Sequence, residues 1–296
     1  MTDWETLTPL LVYIQANLDQ DLGLAALGSR ADLSPAHLQR VFKAAIGETP
    51  KGYVTRLRVE RAAFCLLAHE TAVAEIGAQC GFQRPETFIR AFRRRFGKSP
   101  GAYRLSGRAG AAVRARERRE ALTDLPFELS QTRLIALRPT HLAFRRHVGP
   151  YEAVPESLFD ELERWAVRRR LRGPRIWIGI GHDAPGTTQA AQLRFDAALV
   201  VPGPFEPSGV IGYQLLAGGP HAVTTHVGPY ETLGAAYAMI APRLGAFTEY
   251  EPVWLPALEV YHAARISVRF ALNHTDICLP LRRNSVALGG PPPMAG

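Results

Sequence analysis

Hydrophobic residues in the first hundred positions recur with helical spacing. The stripe of an amphipathic opening helix consists of Leu7, Leu10, Leu11, Ile14 and Leu18. Apolar positions between 50 and 69 follow the same period, which predicts a long connecting helix. Two shorter stretches, LGLAALGSRA and AVAEIGAQCG, are also helical in pattern. This part of the chain is therefore predicted to form an all-helical unit.

After Phe127 the pattern changes to alternating apolar and polar residues, which is typical of half-buried strands. The predicted strands are FELSQTRLIAL, HLAFRRHV, RIWIGIGHD, LRFDAALVV, HAVTTHV, LEVYHA and DICLPL. Two amphipathic helices interrupt them, and their predicted buried residues are Leu158, Leu162, Trp165, Ala166, Leu233, Tyr237 and Ile240. The second part of the chain is therefore predicted to be an α+β domain.

The helical unit contains an internal repeat. PAHLQRVFKAAIGETPKGY (35–53) and PETFIRAFRRRFGKSPGAY (85–103) align at an offset of 50 residues. Each copy opens on a proline, whose missing N–H costs nothing in the first turn of a helix. Each closes on a glycine suited to a left-handed cap. With a short helix before each copy, the pattern predicts two helix-turn-helix motifs.

The excess positive charge of the chain lies in its first part. Residues 1–119 hold 19 Lys and Arg against 11 Asp and Glu, which gives +8, and residues 120–296 hold 16 of each. The whole excess therefore belongs to the helical unit and the basic stretch after it. A polyanionic partner for this part of the chain is the simplest interpretation.

Residues on the repeated helices that avoid the apolar stripe are candidates for contact with bases or phosphates in the major groove. In the first copy they are Ala36, His37, Gln39, Arg40 and Lys43. In the second copy they are Arg84, Glu86, Thr87, Arg90 and Arg94. Arginine at matching positions of the two copies suits bidentate recognition of guanine or a phosphate clamp. The alternative is that these arginines only solvate a helix face.

The helical unit resembles the DNA-binding domain of the AraC/XylS family of bacterial transcription regulators. AEIGAQCGFQRPETFIRAFRRRFGKSPGAYR is similar to the signature of that family. The resemblance implies that the positions of Ala36, Gln39, Arg40, Glu86, Thr87 and Arg90 face DNA. It also implies double-stranded DNA and RNA polymerase as partners. Ala36 departs from the larger side chains of the family, which implies either a weaker sequence preference from the first helix or a preference that rests on contact with a thymine methyl group.

The predicted domain boundaries follow these changes in pattern. The DNA-binding domain is expected at 1–105, a basic linker at 106–126, the α+β domain at 127–283 and a disordered tail at 284–296. No apolar run is long enough to span a bilayer, and the acidic start lacks the features of a signal peptide. A cytoplasmic protein without membrane contact is therefore expected.

The hexapeptide His-Val-Gly-Pro-Tyr-Glu occurs twice in the α+β domain, beginning at His147 and His226. In each copy a strand precedes it and a helix is predicted to begin directly after it. Glycine and proline suit a sharp strand-to-helix joint, and the glutamate suits the positive end of the helix dipole. We interpret the motif as a duplicated structural joint whose histidines pack at strand ends; a ligand or base role for them is the alternative.

The α+β domain resembles the GyrI-like effector-binding domain over about 127–283. The resemblance rests on both HVGPYE motifs and on WIGIGHDAPGT, LRFDAALVV, LEVY and TDICLPLRR. It implies a duplicated SHS2-type fold with pseudo-twofold symmetry, whose two halves enclose an aromatic cleft. It also implies a small lipophilic, aromatic or cationic effector that meets a buried glutamate, which matches Glu259. The predicted effector-binding residues are Glu259, Tyr261, Trp177, Tyr213, Tyr230 and Trp254.

The residues leave alternatives open. Glu259 is also explained as an exposed strand carboxylate, and each aromatic residue as part of the core. No cysteine or histidine spacing suits a zinc site, no serine or cysteine is placed as a nucleophile, and we predict no metal, cofactor or catalytic residue. A transcription regulator is the favoured function. A GyrI-like hydrolase or sequestering protein for reactive small molecules, and a module that binds a protein partner, are the alternatives.

Overall fold

The first described part of the chain is entirely helical. The computed structural model describes residues 3–107, 126–262 and 273–284. Most of the predicted basic linker (106–126) and of the predicted disordered tail (284–296) lies outside these residues, at 108–125 and from 285. The helices are α1 (Asp3–Ala16), α2 (Leu24–Arg30), α3 (Pro35–Ile46), α4 (Pro50–Ala68), α5 (Val73–Gln79), α6 (Pro85–Phe96) and α7 (100–107).

The long helix α4 contributes to two hydrophobic cores, one for each helix-turn-helix motif. Its first half places Tyr53, Val54 and Leu57 in the core of α1, α2 and α3. Its second half places residues of Val59–Leu66 in the core of α5 and α6. The five residues of the predicted opening stripe are at most 3% exposed, although Leu18 lies just after the end of α1. The predicted pair of helix-turn-helix motifs, α2–α3 and α5–α6, is confirmed.

The second part is an antiparallel sheet with two helices. Its strands are β1 (Glu128–Leu129), β2 (Arg133–Leu137), β3 (Thr140–Val148), β4 (Trp177–Gly181), β5 (Arg194–Val201), β6 (Gly212–Leu216), β7 (Gly219–Gly228), β8 (Tyr250–Pro252), β9 (Ala257–Tyr261) and β10 (Asn273–Arg283). The helices are α8 (Ser157–Arg168) and α9 (Leu233–Ile240). The predicted multidomain, α and α+β class is confirmed, although the sequence pattern missed β6 and β8.

The sheet has pseudo-twofold order. Its strands run β1-β7-β10-β9-β4-β5-β3-β6. The units β3-α8-β4-β5 and β7-α9-β9-β10 have the same internal order, and they meet where β4 pairs with β9. Gly179 and Glu259 face each other in that central pair. Each position of the first unit therefore has an equivalent about 80 residues later, and Gly179 is the equivalent of Glu259.

The strand-to-helix joint occurs in both units, with one difference from the sequence prediction. After Gly-Pro each copy forms a 3-10 turn, Tyr151–Ala153 or Tyr230–Thr232. The helix α9 then begins at once, but α8 begins only at Ser157, because Val154 is extended. The prediction that both helices begin directly after the motif is therefore wrong for α8. Gly149 has a φ of 147°, a conformation that favours glycine.

The helical domain packs on the face of the sheet opposite α8 and α9. Val12 of α1 contacts the cluster of Leu142 and Phe144 on β3. At the other end of the interface, the ring of Phe64 lies 5.5 Å from that of Trp254.

Buried charged residues on the same face of the sheet add to the contact with the helical domain. Asp196 of β5 is fully buried between Arg146 and His182, each at 2.7 Å. Arg146 also donates to Gln15 Oε1 of α1, at 3.3 Å. Burial would raise the pKa of Asp196, but Arg146 and His182 outweigh it and hold that pKa well below its usual range. Asp276, the equivalent residue in the second unit, bonds Thr225 at 2.6 Å and His262 at 2.9 Å.

Candidate nucleic-acid interface and effector site

The two candidate recognition helices, α3 and α6, begin and end in the same way. Each has proline in its first turn, and each ends on a left-handed glycine, Gly47 with φ 80° and Gly97 with φ 70°. Of the two, only α3 also has a side-chain cap, in which the side chain of Ser34 accepts a hydrogen bond of 3.3 Å from the backbone N–H of His37. The local signals in the sequence therefore set both ends of both helices.

All ten predicted DNA-contact positions are exposed. The opposite sides of the helices are held in the core by Leu38 and Phe42 in α3 and by Phe88 and Phe92 in α6. The exposed positions are Ala36, His37, Gln39, Arg40, Lys43, Arg84, Glu86, Thr87, Arg90 and Arg94. Arginine and lysine side chains on such a surface suit phosphate oxygens and the acceptor edge of guanine. The exposed sides of α3 and α6 are therefore accessible to a nucleic acid.

The carboxylate of Glu259 lies on the α8–α9 face of the sheet and accepts two tyrosine hydrogen bonds. Tyr261 Oη donates at 2.6 Å and Tyr237 Oη at 3.1 Å. Burial raises the pKa of Glu259, although both tyrosine hydroxyls favour its charged form and oppose the rise. Burial next to this carboxylate raises the pKa of Tyr237 and Tyr261 well above the usual range. Both phenols therefore stay protonated and act as hydrogen-bond donors to the carboxylate.

Aromatic rings surround Glu259 and Tyr261. The ring of Tyr261 lies 5.4 Å from that of Tyr230 and 5.9 Å from that of Phe159. Phe159 in turn meets Trp177 edge to face at 5.8 Å. The hydroxyl of Tyr230 is buried without a hydrogen-bond partner among the described residues, and burial raises its pKa to about 12. A carboxylate among ring faces suits a flat or lipophilic cation.

The absence of a side chain at Gly179 makes room for this arrangement. A Cβ atom there would overlap Tyr261 Oη and lie 2.7 Å from Cζ of Phe195. Such contacts are far closer than real Cβ atoms make, so the ring of Tyr261 would have to move away. Glycine at the position facing Glu259 thus allows the hydrogen bond between Tyr261 and Glu259.

The structure brings four of the six predicted effector residues together: Glu259, Tyr261, Trp177 and Tyr230. It places the other two elsewhere. Trp254 contacts the helical domain through Phe64. Tyr213 lies on β6, four strands from Glu259, where its hydroxyl bonds His141 Nδ1 at 2.7 Å.

Three residues of this site were missed by sequence reasoning: Phe159, Gly179 and Tyr237. Tyr237 was predicted to be buried, but its hydroxyl was not linked to Glu259. The signal that was present in the sequence is the duplication. It places α9, the helix that carries Tyr237, directly after the second hexapeptide.

The histidines of the repeated hexapeptide pack at strand ends, as the sequence predicts. His226 is fully buried, its Nε2 lies 2.7 Å from Thr232 Oγ1, and its ring lies 5.1 Å from that of Phe127. Burial lowers the pKa of His226, which favours the neutral ring. His147 Nε2 is buried without a hydrogen-bond partner in the described part of the chain. The ring of His226 therefore packs within the second joint, and the ring of His147 lies against Gly149 of the first, where a Cβ atom would be 3.0 Å from Nε2.

Across residues 3–107, 126–262 and 273–284, no three His, Cys, Asp or Glu side chains are grouped in a way that would hold a metal ion. In the same ranges no helix is long and apolar enough to cross a bilayer.

Known proteins resemble this chain in two separate regions. A helix-turn-helix domain model matches residues 27–106, and a model of the GyrI-like small molecule binding domain matches residues 130–282, more than half of the chain. The right origin-binding protein of Escherichia coli (strain K12) is 34% identical over 97 residues, which are 33% of this chain and 34% of that protein. The HTH-type transcriptional regulator Rv1931c of Mycobacterium tuberculosis is 48% identical over 82 residues, 27% of this chain and 31% of that protein.

A solved structure also resembles the chain. The DNA-binding domain of AdpA, in complex with a target DNA, is 30% identical and covers 35% of this chain and 93% of its own, with a TM-score of 0.34. The chain spans about a third of the length of the two curated relatives. The long match to the second family model, together with the duplicated sheet described above, decides the classification. The chain belongs to the family of the GyrI-like small molecule binding domain and carries an AraC-type helix-turn-helix domain in its N-terminal part.

Proposed function

We propose that this protein is a sequence-specific DNA-binding transcription regulator whose C-terminal domain binds a small lipophilic cation that changes its action on a promoter. The observation that carries the proposal is the presence, in one chain, of two exposed recognition helices and a carboxylate held among aromatic rings. Double-stranded DNA, the effector and RNA polymerase are the partners proposed.

Support for DNA as the partner comes from the form and charge of the helical domain. Two helices with matching ends present Arg40 and Arg90 at equivalent positions, and both side chains are exposed. Paired helices of this kind read successive segments of the major groove from one side of the duplex. The named functions of the two relatives, origin binding and transcriptional regulation, are consistent with this interpretation.

Support for a cationic effector comes from Glu259 and its surroundings. The half-buried carboxylate of Glu259 needs a partner for its charge, and aromatic faces attract cations. Both carboxylate oxygens already accept hydrogen bonds from tyrosines, which stabilises an anion that binds rather than a nucleophile that attacks. We therefore infer that the site binds its ligand without chemical change and that the chain is not an enzyme.

The experiment combines DNA selection with ligand titration of the full chain. DNA duplexes are selected from a random pool, and tetraphenylphosphonium, a permanent aromatic cation, is titrated by calorimetry with and without the selected duplex. We expect one consensus sequence, cation binding that Glu259→Gln weakens, and a different DNA affinity in the presence of the cation. Absence of any selected sequence would exclude the proposed function. A mass change or turnover with an electrophile such as an epoxide, lost in Glu259→Gln, would instead show a hydrolase.

A further inference from the structure

The loop between β4 and β5, residues 182–193, is held from the effector side by a tyrosine of the first HVGPYE motif. Tyr151 Oη donates to the carbonyl oxygen of Asp183 at 2.7 Å and accepts from the backbone N–H of the same residue at 3.0 Å. The ring of Tyr151 meets Phe195 at 6.1 Å and packs on the cluster that contains Tyr261. Two hydrogen bonds therefore join the wall of the effector site to this loop.

The same loop is connected to the first recognition helix in three steps: a buried ion pair, a hydrogen bond to α4 and a ring contact with α3. The carboxylate of Asp183 accepts bonds of 2.7 and 2.9 Å from the guanidinium of Arg194, and these residues are 7% and 4% exposed. Arg194 Nη1 donates to the hydroxyl of Tyr53 on α4 at 3.1 Å. The ring of Tyr53 meets that of Phe42 edge to face at 5.4 Å, and Phe42 is a core residue of α3. Because a buried, doubly bonded guanidinium has little freedom, this connection fixes Tyr53.

A second connection runs from the loop to the second recognition helix. Arg95, in the last turn of α6, donates to the carbonyl oxygen of Thr187 at 2.9 Å. Its Nη2 also donates to Glu60 Oε1 at 3.1 Å. Glu60 is fully buried on α4 and accepts a further bond from Arg56 at 3.2 Å. One loop of the C-terminal domain thus contacts α6 directly and α3 through Tyr53.

We propose that the β4–β5 loop sets the position of the two recognition helices relative to each other, with Tyr53 and Arg95 as its positioning residues. This inference rests on the proposed function, because it gives α3 and α6 the task of reading two segments of one duplex. Paired helices read DNA only at the separation that matches successive groove segments. The loop is held on one side by both helices and on the other by Tyr151. It therefore fixes the separation of α3 and α6, and a movement of the effector site changes that separation.

The first test measures how strictly the full chain reads the spacing of its DNA. Affinities are compared for the selected duplex and for the same duplex with one base pair inserted between the two segments. We expect the wild type to discriminate about tenfold or more between them, and Tyr53→Phe and Arg95→Met to lose that discrimination. Tyr53→Phe removes a single hydroxyl, so it separates positioning from a general loss of folding. Unchanged discrimination in both variants would overturn the inference.

The second test measures the separation of the helices without DNA. Spin labels are attached at Lys43→Cys and Arg94→Cys, both exposed positions, in a Cys65→Ser background. The parent chain should give a narrow distance distribution, and Tyr53→Phe and Arg95→Met should broaden it. Arg175→Met, which breaks a surface pair of 2.9 Å with Glu163 in the other domain, is the matched control and should leave it unchanged.

The outcomes of the two tests separate the inference from the proposed function. Identical distance distributions in the parent and both variants would reject the positioning role even where DNA binding is found. Broader distributions in a chain that selects no DNA would support the positioning role and reject the proposed function.

Discussion

The phenolic hydroxyl of Tyr261 donates a 2.6 Å hydrogen bond to the carboxylate of Glu259, two residues earlier on β9. Successive residues of a strand point to opposite faces, so the spacing of two places both side chains on one face of the sheet. The bond holds the carboxylate against a ring that itself meets Tyr230 and Phe159. The position of this charge is therefore set by a residue of its own strand.

Glu259→Gln should weaken the binding of tetraphenylphosphonium by about tenfold to a hundredfold, or about 1.4 to 2.8 kcal/mol, because it removes the charge and keeps the shape. Calorimetric titration measures the change. Glu231→Gln is the matched control, since Glu231 is an exposed carboxylate of the second hexapeptide. Equal affinities of wild type and Glu259→Gln would reject Glu259 as the cation partner.

The same titration should depend on pH. Burial raises the pKa of Glu259, so the carboxylate becomes charged only at a higher pH than an exposed glutamate. Affinity for a permanent cation should rise as the pH rises through the pKa of Glu259, and Glu259→Gln should remove this rise. The contribution of Glu259 to the free energy of unfolding changes with pH in the opposite direction to the cation affinity. It is fully present below the pKa of the unfolded chain and is lost as the pH rises through the folded value.

Gly179→Ala should destabilise the C-terminal domain by about 1 to 3 kcal/mol, because the new Cβ atom displaces Tyr261 and Phe195 in a packed core. It should also weaken cation binding, since Tyr261 can no longer reach Glu259. Urea unfolding measures the first effect. Gly234→Ala in α9 is the control, because its Cβ atom would meet open space; we expect a gain of about 0.5 to 1 kcal/mol. An unchanged unfolding midpoint for Gly179→Ala would show that Tyr261 repacks freely.

Arg40→Ala and Arg90→Ala should each reduce DNA affinity, and each should lower the slope of log affinity against log salt by about 1 if the side chain contacts a phosphate. A loss restricted to the selected sequence would indicate contact with a base instead. Fluorescence anisotropy at several salt concentrations separates the two cases. Arg172→Ala, an exposed arginine of the other domain, should change neither quantity. If it changes DNA binding equally, net charge rather than the recognition helices explains affinity.

Asp196→Asn should destabilise the protein by about 3 to 5 kcal/mol at pH 7, because it leaves Arg146 buried without its counter-charge. The pKa of Asp196 lies below its usual 3.8, so its stabilising effect is present above that value and is lost as the pH falls through the folded pKa. The difference between wild type and variant should therefore shrink in acid. Urea unfolding at pH 7 and pH 3 measures it.

The control for Asp196→Asn is its equivalent in the second unit, Asp276→Asn. The side chain of Asp276 is 22% exposed and bonds a threonine and a histidine rather than an arginine. Its replacement should cost about 0.5 to 1.5 kcal/mol. A similar loss of unfolding free energy in both variants would show that the ion pair of Asp196 with Arg146 contributes no more to stability than the hydrogen bonds of Asp276.

Local signals in the sequence predicted the helical domain well. Proline and glycine mark the ends of α3 and α6, because the conformations required there depend on single residues. Alternation likewise located most strands. It did not locate β6, GYQLL, whose place in the sheet depends on its pairing with β3.

The candidate sites depend on contacts between distant residues, and here the sequence was less informative. Trp254 and Tyr213 have the ring chemistry of the effector site, but strand order and domain packing place them elsewhere. The contact between Arg194 and Tyr53 joins residues 141 positions apart, so no local pattern could indicate it. Glu259 stands out in the sequence as a carboxylate in an apolar stretch with Tyr261 on the same face, but only the family resemblance favoured it over an ordinary exposed strand carboxylate.

Glycine at the position facing Glu259 has a consequence for binding stoichiometry. Duplication of the β-α-β-β unit repeated the joint and the strand order, but it did not repeat the charge, because the equivalent of Glu259 carries no side chain. A ligand attracted by this carboxylate therefore meets two unlike half-sites and has a single preferred orientation. Titration with a cation should saturate at one equivalent per chain, although the scaffold itself is nearly twofold.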